Sequence, residues 1–236
     1  MVTGLGLGIT ASGHKFAAAG RTAVTVTAFG NAQVDTAQSK FGGASAVFDG
    51  SADYLTAETT MGSADFTLEF FYRPISRPTS FPAMIASVGA TFNANGEWAF
   101  YDRHDAANTK FRFYWREGGS FLEITSTTSV SNGTWYHLAV SRSGSSIKLF
   151  VNGVEEDSAT TSLSLDKGQD IIIGAQESAG GKAINGYIDE LRISDTARYT
   201  SGFTAPTSAF VNDNDTLLLL HMDGTDGSTT FTDDNS

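Results

Sequence analysis

Cysteine is missing from all 236 residues, so no disulfide braces the fold and no thiol serves as nucleophile or metal ligand. Prolines number only 4. No apolar run approaches the ~18 residues that a membrane-spanning helix needs. Basic residues are scarce: 15 Lys and Arg stand against 26 Asp and Glu, a net charge of −11. That balance argues against binding nucleic-acid backbones or anionic membranes. It leaves carboxylates suited to a hard cation such as Ca2+. The start, MVTGLGLGITASG, lacks the positive first residues and unbroken apolar stretch of a secretory leader. His-x-x-x-His and Gly-x-Ser-x-Gly spacings are absent too, and His14, His104, His137 and His221 are scattered. Neither a zinc site nor a serine-hydrolase elbow is suggested.

What the chain does have is 40% hydrophobic residues, 25 Gly and 17 Phe, a balance that favours strands and turns. Residues 1–20 are small and Gly/Ala-rich and read as an arm. From Arg21 short strand-like runs follow one another: TAVTVTAFG, ASAVF (44–48), DFTLEFFYRP (65–74), MIASVG (84–89), EWAFYD (97–102), KFRFYWR (110–116), FLEITST (121–127), DIIIGAQ (170–176) and AINGYIDELRIS (183–194). WYHLAVSRSG (135–144) and SIKLFVNG (146–153) read as a hairpin turning at Ser143 and Gly144, and Asn152-Gly153 supplies the next turn. Only SDTARYTSGF (194–203) suits a short helical turn, with Asp195 as its cap. Regularly spaced strands without long amphipathic helices predict an all-β sandwich or barrel. Alternation nominates Phe66, Leu68, Phe70, Trp135, Leu138, Val140, Leu149, Val151, Ile171, Ile173, Ile188, Leu191 and Ile193 for the core.

Four runs, KFGGASAVFDGSADYL (40–55), DFTLEFFYRP (65–74), WYHLAVSRSGSSIKLFVNGVEE (135–156) and INGYIDELRISDTARY (184–199), together resemble the laminin-G-like branch of the concanavalin A-like lectin/glucanase jelly rolls. The resemblance spans residues 21–212 and is similar in style to modules of phage fibre and virion-associated proteins. It implies a two-sheet antiparallel jelly-roll sandwich with one concave and one convex sheet. The family's module opens with a strand ending in an acidic residue and a Gly/Thr-rich loop. Here LLLLHMDGTDGSTTFTDDNS matches that opening but stands at the C-terminal end. The resemblance therefore implies a permuted order, with residues 213–236 completing their own or a neighbouring sandwich.

The resemblance also implies a structural Ca2+, carried over to Asp189 and Asp223 with the backbone carbonyl of Gly43. The plainer reading of Asp189 is that it caps backbone N–H groups or pairs with Arg192 or Arg198. Glycan binding needs exposed aromatics beside hydrogen-bonding groups. In EWAFYDRHD and FRFYWRE, Phe111, Phe113 and Trp115 share one face, and Arg112, Tyr114 and Arg116 the other. Tyr101, Arg103, Arg112, Tyr114 and Arg116 are the candidates to line the concave sheet, although cross-strand aromatic–cation pairing alone also accounts for them. Related jelly rolls include glycoside hydrolases with an E-x-D-x-x-E strand. The nearest match, Glu155-Glu156-Asp157, has Thr160 at the third acidic position and sits beside a turn. It reads as surface charge, and the chain as no enzyme.

Leu217, Leu218, Leu219 and Leu220 need a buried slot, since left in water they form an aggregation-prone edge. They can fold back into their own sandwich, insert into the next subunit and polymerise head-to-tail, or reflect a tandem array cut out of frame. The expected role is a structural or adhesive protein of a virion or extracellular assembly. Its expected partners are itself, neighbouring virion or surface proteins, or glycans; the competing class is a lectin-like module.

Overall fold

The computed structural model describes residues 22–235, apart from 62–63, 80–81, 90–93, 106–107, 163, 166 and 177–180. The arm read over residues 1–20 lies outside the described residues. Among those described there is no helix. One sheet has the order β1 (Val26–Phe29), β4 (Tyr54–Ala57), β13 (Ile171–Ile173), β6 (Ala83–Val88), β7 (Trp98–Asp105), β8 (Asn108–Glu117) and β9 (Ser120–Ser129). The other runs β12 (Val154–Thr160), β11 (Ser146–Val151), β10 (Tyr136–Ser143), β5 (Phe66–Ser76), β14 (Asn185–Ser194), β3 (Ser45–Asp49) and β2 (Gln33–Asp35), and β15 (Thr216–Leu220) is added beside β14. The two sheets pack face to face as an antiparallel jelly-roll sandwich.

Period-two alternation places the core. From β5, Phe66, Leu68, Phe70 and Tyr72 point inward, and Phe70 meets Phe100 of β7 edge-on with ring centroids 5.2 Å apart. Phe111, Phe113 and Trp115 of β8 are fully buried in the same core, while Tyr114 belongs to a separate cluster on the outer face. Every core residue nominated from the sequence is buried except Trp135. Trp135 precedes β10, is half-buried and packs beside Tyr187, because Tyr136 takes the inward position opposite Tyr72.

The β10–β11 hairpin forms with Ser143 opposite Ser146, so its turn is Gly144-Ser145, one residue later than expected. Asn152 and Gly153 have φ of +52° and +82°, as an Asn-Gly turn requires. A Cβ on Gly153 would collide with the carbonyl of Phe203, so the segment 195–215 lies directly over this turn. The helical turn expected within 194–203 does not form. Its polar groups bond to β5 instead: Arg198 N–H donates to Thr67 Oγ1, which donates to the Thr196 carbonyl.

The leucine run enters its own chain's sheet. On one side β14 pairs with β5; on the other it pairs first with β3 (Ile188 opposite Ala46) and then with β15 (Leu191 opposite Leu220). Strands β3 and β15 thus lie end to end along one edge of β14. Leu218 and Leu220 join the sandwich core, and Leu219 packs with Phe71 and Phe210 on the outer face. Covering both faces suits four consecutive apolar residues, each worth about 1.5–3 kcal/mol when fully buried. The loop beyond β15 seals the next edge: Val34 N–H donates to the Ser228 carbonyl and Gly227 N–H to that of Val34.

Candidate functional site

Two places concentrate chemistry. The first is an irregularity in β14. The run Ile188-Asp189-Glu190-Leu191 places both Ile188 and Leu191 in the core, although three positions apart. Alternation is broken there by a register shift between Asp189 and Arg192, with Glu190 at φ +53°. The bulge falls where β3 gives way to β15, and both carboxylates are buried in that gap. Asp189 Oδ2 accepts the N–H groups of Lys40 (2.6 Å) and Phe41 (3.1 Å). Glu190 accepts Phe210 N–H at 2.7 Å and lies 2.9 Å from His221 Nδ1.

Asp189 Oδ1, by contrast, is buried without a hydrogen-bond partner. Burial is the main cause pushing the Asp189 carboxyl up to about 7; the N–H groups of Lys40 and Phe41 oppose it, and the Glu190 and Asp223 charges add to it. Asp223 lies against the 40–43 segment: a Cβ on Gly42 (φ +63°) would collide with its carboxylate. Gly43 follows directly, with its N–H on the Phe41 carbonyl. Asp223 also lines a cavity of about 370 Å³ with His221, Thr232 and Asp234. The residues named for Ca2+ are therefore brought to one place, and the plainer role of Asp189, capping backbone N–H groups, is present on its other oxygen. An unpartnered buried carboxylate oxygen beside a second carboxylate is the donor chemistry a hard cation takes. Among the described residues no group of three or more acidic, His or Cys side chains is placed to hold a metal. The remaining ligands would be backbone carbonyls and water.

The second place is the outer face of the seven-stranded sheet. Cross-strand register sets Tyr101 opposite Arg112 and Ala99 opposite Tyr114. Arg112 Nη1 donates to Glu123 Oε1 at 2.9 Å, and Tyr101 Oη to Glu123 Oε2 at 3.1 Å. Burial and the Glu123 charge push the Tyr101 phenol up to about 12. All five residues named for glycan contact occupy these two strands, but Tyr101 and Tyr114 are only 6% and 8% exposed. The open aromatic is Phe121 on β9, 61% exposed, with the Arg116 guanidinium 4.2 Å from its ring centre and Tyr114 edge-on at 5.9 Å. Phe121 and Glu123 went unnamed in the sequence. The signal was present: Phe121 and Glu123 stand two apart and so share one face of β9, opposite Arg116 and Tyr114.

Two further polar clusters engage the carboxylates of β5 and β12. Glu69 of β5 is fully buried beneath the 195–215 segment. Arg192 Nη2 reaches its Oε1 at 2.6 Å, while Tyr199 Oη and His137 Nε2 meet Oε2 at 2.8 and 3.1 Å. Burial acts to raise the Glu69 carboxyl, yet His137 and Arg192 overcome it and hold it below the usual range. On the edge strand β12, Glu156 accepts the N–H groups of Thr127 and Thr128, each at 2.9 Å, and Asp157 accepts that of Thr125 at 2.8 Å. Glu156 and Asp157, read from the sequence as surface charge, thus cap the open edge of β9. Glu155 pairs with Lys148 at 2.9 Å.

A family model described as the concanavalin A-like lectin/glucanases superfamily (Laminin_G_3) matches residues 49–201. Asp189 falls within that stretch, and Gly43 and Asp223 fall outside it. No curated protein matches the chain. Among solved structures, domain 4 of AbnA, a GH43 extracellular arabinanase from Geobacillus stearothermophilus in complex with arabinotriose, aligns over 74% of this chain and 82% of its own, at 19% identity and TM-score 0.56. Tailspike protein 2 of the Escherichia coli O157:H7 bacteriophage CAB120 aligns over 73% of this chain and 25% of its own, at 13% identity and TM-score 0.55. A native heptameric SAP-like pentraxin from Limulus polyphemus aligns over 80% and 91%, at 16% identity and TM-score 0.51. At these identities the likeness is one of fold.

Proposed function

Because the chain belongs to the concanavalin A-like lectin/glucanases superfamily, we propose that it is a non-catalytic, carbohydrate-binding sandwich of an extracellular or virion assembly. The observation that carries this reading is Phe121, an exposed ring flanked by Arg116 and backed by the Arg112–Glu123–Tyr101 hydrogen-bond chain. A flat apolar ring beside fixed donors and acceptors is what a sugar needs, since its C–H face stacks and its hydroxyls bond. The AbnA domain, with its bound arabinotriose, and the phage tailspike lend support from the same fold. The non-catalytic reading is supported by Glu156 and Asp157 being committed to the β9 edge and Glu155 to Lys148.

A structural Ca2+ belongs to the same proposal, held by Asp189 and Asp223 with the Gly43 carbonyl. The support is the unpartnered Asp189 Oδ1 and the mutual repulsion of the two carboxylates. Head-to-tail polymerisation by Leu217, Leu218, Leu219 and Leu220 would require β15 to leave β14; the pairing it makes within its own chain favours a self-contained sandwich. A glycan array probed with the full chain tests the main reading: binding that Phe121→Ala abolishes supports it, and an array without signal overturns it.

A further inference from the structure

The outer face of the eight-stranded sheet holds a cleft that includes neither the Asp189 gap nor the Phe121 face. Its floor is the end of the β10–β11 hairpin, where Ser141 stands opposite Lys148 and Ser143 opposite Ser146. Val140 and Leu149 beside them point into the core, so these four side chains face outward. The wall is Tyr199 and Thr200, from the start of the 195–215 segment, and the cavity between wall and floor measures about 230 Å³. Tyr199 is fixed from three sides. Its ring lies flat on Phe203 with 3.5 Å between centroids, its Oη donates to Glu69 at 2.8 Å, and its N–H donates to Ser141 Oγ at 3.4 Å. A wall held in this way loses little freedom when a ligand arrives.

The charge in the cleft is answered from within the protein: Lys148 Nζ donates to Glu155 Oε2 and to the Thr200 carbonyl, each at 2.9 Å. That leaves no spare charge to draw an ion. What the cleft offers instead is the hydroxyls of Ser143, Ser146 and Thr200, which make no hydrogen bond among the described residues. Each of them both gives and accepts a hydrogen bond, so their complement is a neutral molecule rimmed with hydroxyls. The volume falls below the ~300–1,000 Å³ of pockets that take drug-sized ligands, which leaves room for one sugar ring and not for a chain. We propose that this cleft is a second saccharide site, taking a single neutral sugar residue against Tyr199 with its hydroxyls on Ser143, Ser146 and Thr200. It lies on the sheet opposite Phe121 and does not rest on the reading of that face.

The test is a nitrogen–proton correlation NMR titration of the full chain with the methyl glycosides of glucose, galactose and mannose, and with glycerol as a control polyol. One contacted ring binds too weakly to survive the washes of a glycan array, so the titration reads this cleft and the array reads the Phe121 face. At least one glycoside is expected to shift the amide signals of Ser143, Ser146, Lys148 and Thr200 to saturation. The double variant Ser143→Ala, Ser146→Ala weakens that binding about tenfold with an unchanged melting temperature, and Phe121→Ala leaves it as it was. No saturable shift at these amides, equal shifts from glycerol, or parent-like binding by the double variant overturns the inference. Shifts confined to β8 and β9 remove the cleft and leave the Phe121 reading standing. Shifts at the cleft with a silent array remove the Phe121 reading and leave the cleft.

Discussion

Asp233 accepts the backbone N–H of Val24 at 2.9 Å, across 209 positions of sequence. Its other oxygen accepts the N–H of Leu219 at 3.0 Å, so one carboxylate ties the strand beginning near Val24 to the leucine strand β15. That contact brings the segment after β15 to where the first described strand starts. Asp233→Ala leaves three N–H groups, those of Val24, Leu219 and Asn235, without their acceptor, one of them on a buried strand. A loss of about 1–3 kcal/mol is expected in urea unfolding; an unchanged midpoint would mean that the contact carries no weight.

Glu69 is the centre of the polar cluster beneath residues 195–215. Glu69→Ala strands Arg192, which is mostly buried, and breaking a buried pair in this way costs about 3–5 kcal/mol. Since its carboxyl is held below the usual range, its stabilisation is complete above about pH 4.5 and fades as pH falls further. Equal denaturant midpoints for parent and variant would refute the assignment.

Asp102 works in the opposite direction. Burial pushes it up to about 7, against the pull of Arg77 at 3.6 Å, and neither of its oxygens has a hydrogen-bond partner. Its folded form holds a proton that the unfolded chain releases near pH 4, so stability falls as pH rises from about 4 to about 7. Asp102→Asn is expected to flatten that decline. Melting curves collected across the same interval check it, and parallel slopes for parent and variant would count against the reading.

Calcium is expected to raise the melting temperature of the full chain, and chelation to reverse the gain. Asp223→Asn should abolish most of the response while leaving the metal-free melting temperature within a few degrees. A chelator that changes nothing in the parent protein rejects the site.

Phe121→Ala is expected to weaken glycan binding about tenfold or more without moving the melting point, because a ring 61% exposed contributes little to the core. Tyr114→Ala, by contrast, removes a ring only 8% exposed and should destabilise the sheet as well as the site. Equal affinities for Phe121→Ala and the parent would exclude the stacking role.

The sandwich was legible in the sequence because strand alternation is a local signal. Phe111, Phe113 and Trp115 fall inside, and Arg112, Tyr114 and Arg116 outside, as period two requires. The β14 bulge leaves a trace in the sequence: Ile188, Leu191 and Ile193 cannot all face one way on a regular strand. Trp135 carried the matching warning, since its parity disagrees with that of Leu138 and Val140. The buried state of Glu69 had no local signature. It depends on a segment more than 120 residues later folding over β5, as the hydrogen bond from Arg192 and that from Tyr199 record. Long-range cover of this kind decides burial, and local sequence does not encode it.

The end-to-end placement of β3 and β15 along β14 has a bearing on how the protein is made. Synthesis delivers β3 and β5 before β14, but β15 arrives last, after the 195–215 segment has emerged. Until then the Leu191–Ser194 half of β14 presents bare backbone and an unfilled apolar slot on the nascent chain. That interval closes only when Leu218 and Leu220 enter the core and Leu219 meets Phe71 and Phe210.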